Sequence, residues 1–304
     1  MSVTVFGSLN LDIALHLPER ASWGQTLLVG KSAEAVGGKG LNQAVAAARF
    51  GSVTRMAGAV GADALGVMLR DALEKDGVGI THVDTLNSET SGRATILIEP
   101  TGENMILVEA GANRLASAEA GIAALDGDSR VLLIQLETDI DVIAALLRSP
   151  AAAPVRKILN AAPAVAEAAP LFDLADMIIF KQTEFATYMG LDREPEVVED
   201  LLVGRRILSK HNQAFVVTLG AIGSVAIWAD HTMFSPAIPA ASVVDTSGAG
   251  DCFCGIVAAC IDQGIGPEQA LVFANAGASI VVGRHGAAPS MPMRSEVDAL
   301  IAAQ

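Results

Sequence analysis

A three-layer α/β/α fold, with helices on both faces of a central and mostly parallel sheet, is what the sequence predicts. Three features of the chain point to it. Short apolar runs alternate with longer stretches of helical periodicity, the pattern of βαβ units. Polar residues collect just past the ends of the apolar runs, where open α/β sheets bind ligands. Glycine-rich turns feed straight into helices twice, at 36–44 and at 244–251.

The composition sets the outer limits. A chain of 304 residues can bury a full core and fits one domain spanning 1–304. Hydrophobic residues make up 51%, which suits a compact soluble enzyme. Lys+Arg 20 against Asp+Glu 34 gives a net charge of −14, which repels nucleic acid and anionic membrane, so any phosphate must be held by local geometry. Aromatics at 4% leave little for base stacking. The N-terminus lacks the basic and apolar regions of a signal peptide, and no apolar run is long enough to span a membrane, so the expected location is cytoplasmic. Cys252, Cys254 and Cys260 fall on one helix, badly placed for disulfides, and read as reduced core residues. The histidines are scattered without zinc-ligand spacing.

Taken in order, the first strand covers 3–6, and its exit carries Asn10 and Asp12. The stretch Val36-Gly37-Gly38-Lys39-Gly40-Leu41-Asn42-Gln43-Ala44 opens a helix that Gly51 stops. It is not a Walker A loop, because Ala33 stands where the first glycine belongs and Gly40 follows Lys39 in place of Ser or Thr. It is not a dinucleotide fingerprint either, because Gln43 replaces the third glycine. Its glycines would let backbone approach a small ligand, with Lys39 and Asn42 as donors for hydroxyls; the alternative is a plain turn. Residues 13–35 and 90–110 are strand-like and irregular. The second contains a hairpin, Ala94–Ile98 and Met105–Val108 around Pro100-Thr101-Gly102-Glu103-Asn104, that interrupts the βα alternation. It fits a small second sheet closing over the site, or else an edge hairpin of the main sheet.

Further strands at 131–136, 157–159, 177–180 and 215–217 lead into Glu137, Asn160, Lys181 with Glu184, and Thr218 with Gly220. The remaining helices are expected near 64–75, 117–125, 139–148, 196–210, 267–282 and 293–303, and the Ala/Pro-rich segments 149–154 and 161–170 as surface loops.

The second glycine turn is Val244-Asp245-Thr246-Ser247-Gly248-Ala249-Gly250-Asp251, running into the apolar helix from Cys252. A turn entering a helix this way leaves the first backbone N–H groups aimed at one point, where the helix dipole adds roughly half a positive charge. Asp251, in the first helical turn, is placed to take a proton from a hydroxyl attacking a phosphate bound there. The same string is compatible with a tight turn and a simple helix cap.

These two signatures, in this order and separation, resemble those of the ribokinase-like carbohydrate kinases, and the resemblance spans essentially the whole chain. Among them it is most similar to members that phosphorylate ribose, through Gly7-Ser8-Leu9-Asn10-Leu11-Asp12, Gly102-Glu103-Asn104, Gly111-Ala112-Asn113 and Leu159-Asn160-Ala161-Ala162-Pro163. The resemblance implies an ATP-dependent sugar kinase with a small β-sheet lid. It implies Asp251 as catalytic base, Gly248, Ala249 and Gly250 as the anion hole, and Asn10, Asp12, Gly38, Lys39, Asn42 and Glu137 around the sugar. Thr218, Gly220 and Gly223 would line the nucleotide, Asn160 and Glu184 would stand near phosphates and Mg2+, with Glu184 acting through water, and Asn275 near the adenosine. It further implies a homodimer joined through the lid and activation by a monovalent cation, K+, near Asp245 and Ser247. One position departs from the family's Asn-x-x-Glu pattern: Lys181-Gln182-Thr183-Glu184 has Lys for Asn. That Lys either meets a nucleotide phosphate or turns outward, alone or paired with Glu184. Other expected substrates are another pentose, a ketohexose or a nucleoside, and the non-enzymatic alternative is a silent sugar-binding regulator.

Overall fold

The computed structural model describes residues 1–304. In chain order its first strands are β1 (Ser2–Phe6), β2 (Asn10–His16), β3 (Lys31–Gly37), β4 (Thr54–Gly61), β5 (Gly79–Leu86), β6 (Gly92–Ile98) and β7 (Asn104–Glu109). There follow β8 (Ser129–Ile134), β9 (Arg156–Asn160), β10 (Met177–Lys181), β11 (Ala214–Thr218), β12 (Gly223–Ile227) and β13 (Thr232–Pro236). The α-helices are α1 (Lys39–Arg49), α2 (Ala64–Lys75), α3 (Ala118–Ala124), α4 (Ile140–Arg148), α5 (Gln182–Met189), α6 (Val198–Leu201), α7 (Ala249–Asp262), α8 (Pro267–Val282) and α9 (Arg294–Ala302).

Nine strands form the main sheet in the order β13-β12-β11-β10-β9-β8-β1-β4-β5. From β11 to β5 every pairing is parallel; β12 and β13 add an antiparallel edge. Both faces are covered, which is why the central strands read as unbroken apolar runs. In β8, Val131 and Leu133 enter the core under α1, α2, α7 and α8, while Leu132 and Ile134 enter the core under α3, α4 and α5. The chain builds outward from β1 to β4 and β5 on one side and to β8 and its successors on the other. The sheet direction therefore reverses between β1 and β8, and a crevice opens at the carboxyl ends of the strands there.

A separate four-stranded sheet, β3-β2-β6-β7, forms the lid. The 94–108 hairpin belongs to it and not to the edge of the main sheet. The hairpin is held by β6–β7 antiparallel pairing, and β6 then runs parallel to β2. No helix is long and apolar enough to cross a membrane.

Three local expectations differ from the structure. The helix expected over 196–210 is α6 followed by a 3-10 turn over Leu202–Ile207. Gly204 packs there so tightly that an added Cβ would lie 2.6 Å from Phe215 and 2.7 Å from Phe185. The Ala/Pro-rich segments are not wholly superficial, since Ala152, Ala161, Ala162, Ala168 and Leu171 are buried and knit the loops into the core. Strand β8 ends at Ile134, so Gln135, Leu136 and Glu137 form a connecting turn above it. The three cysteines are buried and unpaired, and burial is the main cause raising all three thiols above their ordinary pKa.

Candidate active site

A cavity of about 710 Å³ lies at the amino ends of the strands, bounded by Ser129, Arg156, Met177 and Trp228. A smaller one of about 300 Å³ lies at the switch point and gathers the polar residues singled out in the sequence. We place the chemistry in the second, because ligands of open α/β sheets bind at the carboxyl ends of strands.

One end of this cavity is built by the start of β2, the start of α1 and the turn after β8; Asn10 and Asp12, expected at the exit of the first strand ahead of a lid beginning near 13, are already on the lid sheet, paired with β3 and β6. Asn10, Asp12, Gly38, Lys39, Asn42 and Glu137 line it together. Asn113 holds the β1 exit in place: its amide accepts from Leu9 N at 2.9 Å and donates to Leu9 O at 3.1 Å and to Asn10 Oδ1 at 2.8 Å. Glu137 Oε2 accepts from the Ser8 hydroxyl and from Lys39 N at 3.2 Å. Gly38 has φ 89°, and a Cβ there would come within 2.8 Å of Asn10 N. Its glycine is therefore required by backbone packed on backbone, more than by approach to a ligand. A Cβ on Gly40 would likewise meet Gly7 and Ser8 at 2.7 Å.

The charges in this end do not balance. Burial is the main cause pushing Asp12 up to about 7, and the nearby carboxylates of Glu137 and Asp251 add to it against the opposing Lys39. Burial acts to lower Lys39, but Asp251, Glu137 and Glu184 together outweigh it and hold the ammonium above its ordinary value. The cluster favours a protonated cation and a carboxylate poised near neutrality, both suited to sugar hydroxyls.

The other end is the N-terminus of α7. Gly248 is its N-cap in the left-handed conformation, φ 77°, and no side chain caps the helix. The leading N–H groups are thus left for an anion. Thr246, Ser247, Gly248 and Gly250 line the cavity here, and Asp251 stands between the two ends, 8% exposed. Both its oxygens are engaged: Asn42 Nδ2 donates to Oδ2 at 2.9 Å and Gln43 Nε2 to Oδ1 at 2.9 Å. Asn42 is thus turned toward the carboxylate as well as the cavity, and its Oδ1 is buried without a partner.

Lys181 lines the cavity at the end of β10, and an added Cβ on Gly250 would lie 3.1 Å from Lys181 Cε. Its side chain therefore reaches over the start of α7. Glu184 does not pair with the ammonium; it accepts from Lys181 N at 2.5 Å and closes the start of α5, leaving its other oxygen free. Asn160 and Thr218 also line the cavity, while Asp245, Ala249, Glu184, Gly220, Gly223 and Asn275 stand outside its walls. Asn275 donates to Ser235 O and Ser235 Oγ at 3.1 Å, tying α8 to β13. Gly223 is accounted for by the sheet, since a Cβ there would meet Ser235 O at 2.1 Å, whereas Gly220 faces open space. Asp245 accepts from Ser247 N at 2.9 Å and Gly286 N at 3.1 Å. Burial works to raise it, but these donors prevail and hold it below the ordinary carboxylate range.

The lid supplies the roof, with Ala94, Ile96, Ile106 and Val108 lining the cavity. Sequence reasoning passed over Gln43 as a site residue and also Gln135, Ser8 and Asn113. Gln43 and Asn113 sit inside quoted motifs, but only the tertiary pairing shows what they hold.

An anion pocket and a hydroxyl-binding cluster that share one carboxylate suit phosphoryl transfer to an alcohol, which is the work of a small-molecule kinase. The chain belongs to the pfkB family of carbohydrate kinases, whose model matches residues 1–294. The ribokinase of Haemophilus influenzae is 31% identical to it over 303 residues, covering 97% of this chain and 96% of its own length. That of Bacillus subtilis is 32% identical over 304 residues, covering 99% of each. A solved structure of Arabidopsis thaliana ribokinase complexed with ribose and ATP has a TM-score of 0.87 and 29% identity, covering 99% of this chain and 98% of that one.

Proposed function

We propose that the protein transfers the γ-phosphoryl group of ATP to the primary hydroxyl of ribose, giving ribose 5-phosphate. The observation that carries this is Asp251, a buried carboxylate at the uncapped start of α7 that shares one cavity with Asp12, Lys39 and the lid. Asn10, Asp12, Lys39, Asn42 and Glu137 hold the ring hydroxyls. The hydroxyl oxygen forms a bond to the γ-phosphorus as the bond to the β–γ bridging oxygen breaks and ADP leaves. The hydroxyl proton passes to Asp251, and the N–H groups of Gly248, Ala249 and Gly250 take the phosphoryl charge. Drawn over a bound sugar, the apolar roof would exclude water, which would otherwise compete as acceptor.

The base of ATP is assigned to the side of Thr218, Gly220, Gly223 and Asn275, with Asn160 and Lys181 toward its phosphates. No group of three or more His, Cys, Asp or Glu side chains converges to hold a metal. A magnesium ion that enters with ATP would be held chiefly by phosphate oxygens and water, which suits its chemistry, with the free oxygen of Glu184 as a water-mediated partner. When bound, it neutralises phosphate charge. Asp245, held ionised beside Ser247, fits a monovalent cation such as K+ that would brace the 245–250 turn. The exposed apolar side chains Met105 and Leu107 on β7 favour a homodimer joined lid to lid. The enzyme would work in the cytoplasm, where ATP is supplied.

The test is a panel of ribose, other pentoses, a ketohexose and a nucleoside, read by ATP consumption and by the position of phosphate in the product. Ribose should give the highest kcat/KM, with phosphate on its primary hydroxyl. Preferential turnover of another member would make the protein a sister kinase, and saturable sugar binding without any turnover would make it a silent regulator.

A further inference from the structure

A chain of buried amides runs from the end of β8 to Asp251. Gln135 and Gln43 are both fully buried, and Asn160 is nearly so. Gln135 Nε2 donates to Gln43 Oε1 at 2.7 Å. Gln43 Nε2 then uses both hydrogens, one to Asp251 Oδ1 at 2.9 Å and one to Asn160 Oδ1 at 3.0 Å. Asn160 is itself oriented by donating to Ile179 O at 3.3 Å. Only one orientation of the Gln43 amide satisfies this arrangement. Turned over, its Oε1 would face the oxygens of Asp251 and Asn160, and its Nε2 would face the NH2 of Gln135, so every bond would become a clash of like groups.

We propose that Gln43 and Gln135 are positioning residues for the base, Gln43 by donating to the carboxylate and Gln135 by fixing which way Gln43 points. The role rests on Asp251 being the base in the reaction proposed above. With Asn42 on Oδ2 and Gln43 on Oδ1, the carboxylate is clamped at both oxygens and cannot rotate away from the start of α7. Each oxygen keeps a lone pair for the incoming proton. Gln135 is absent from the cavity wall, so a direct contact with sugar or nucleotide does not explain it. Its own Oε1 is buried without a partner, a cost that the orienting bond to Gln43 helps to offset.

Gln43→Leu and Gln135→Met test this. Turnover should fall about 10- to 100-fold in Gln43→Leu and about 3- to 10-fold in Gln135→Met, with the KM of sugar and of ATP within about threefold of the parent, as loss of orientation alone predicts. The second measurement does not depend on turnover: crystal structures of the two ligand-free variants. In both, the Asp251 carboxylate should turn from its place at the start of α7 or take more than one conformer, and in Gln135→Met the Gln43 amide should lose its single orientation. If Gln43→Leu fails to fold, Gln135→Met, which touches no cavity group, carries the test. An Asp251 carboxylate that keeps its place in a folded variant overturns the proposal, whatever the sugar panel shows. A displaced carboxylate in a protein that phosphorylates no sugar would leave the clamp standing and remove the kinase reading instead.

Discussion

Replacing Asp12 by Asn should stabilise the ligand-free protein at alkaline pH and yet cripple sugar binding. Asp12 ionises only near pH 7 in the folded chain against 3.8 for the free side chain, because it is buried and faces Glu137 and Asp251. The folded state therefore holds this proton more tightly than the unfolded state. Its contribution to stability is complete below about 3.8, declines as pH rises, and is gone above about 7. Asn mimics the protonated form at every pH and abolishes that decline. Between pH 5 and 7 the ceiling is ~2.7 kcal/mol, from ~1.4 kcal/mol per pH unit, and solvent at this part-exposed carboxylate reduces the expected gain to about 1–2 kcal/mol. Urea unfolding of both proteins at pH 5 and pH 8 reads the difference. In turnover, loss of a charge-assisted hydrogen bond worth roughly 1.5–3 kcal/mol should raise the sugar KM about 10- to 150-fold while the ATP KM stays within about twofold. The same stability difference at both pH values would refute the charge cluster. An ATP KM that rises with the sugar KM would refute the assignment of Asp12 to the sugar end.

Lys181→Asn should weaken ATP binding and make turnover depend more steeply on free magnesium, because an ammonium over Gly250 supplies charge that Asn cannot; an unchanged magnesium titration and ATP KM would take Lys181 out of phosphate binding. Potassium should raise turnover over a large organic cation at matched ionic strength, and Asp245→Ala should abolish the response; equal rates in both cations would remove the cation site. Sedimentation should show a dimer for the parent and a monomer for Leu107→Glu, whose side chain lies on the exposed face of β7. A parent that stays monomeric at working concentration would contradict a lid-to-lid interface.

The main layers were legible because both faces of the sheet are buried, which leaves unbroken apolar runs, and because glycine turns mark where helices start. The lid was legible as a break in that alternation. What the sequence conceals is pairing between buried polar groups far apart in the chain. Asn42 reads as a donor to sugar hydroxyls, yet its amide is turned to Asp251, and nothing local announces that. Gln135 reads as one polar residue inside the expected strand 131–136 until the fold sets it against Gln43. The glycines at 38 and 40 read as room for a ligand, but much of that room is taken by the backbone leaving β1. The close packing of Gly204 against Phe185 and Phe215, in the 3-10 turn that follows α6, is likewise visible only in three dimensions.

The central claim, that a buried carboxylate at the start of α7 takes the hydroxyl proton during phosphoryl transfer, is met most directly by Asp251→Asn. The amide fills the same space and cannot act as the base. Turnover of ribose with ATP should fall by about two to four decades, while calorimetric binding of ribose and of ATP stays within a few-fold of the parent. Near-normal turnover in that variant would contradict the account.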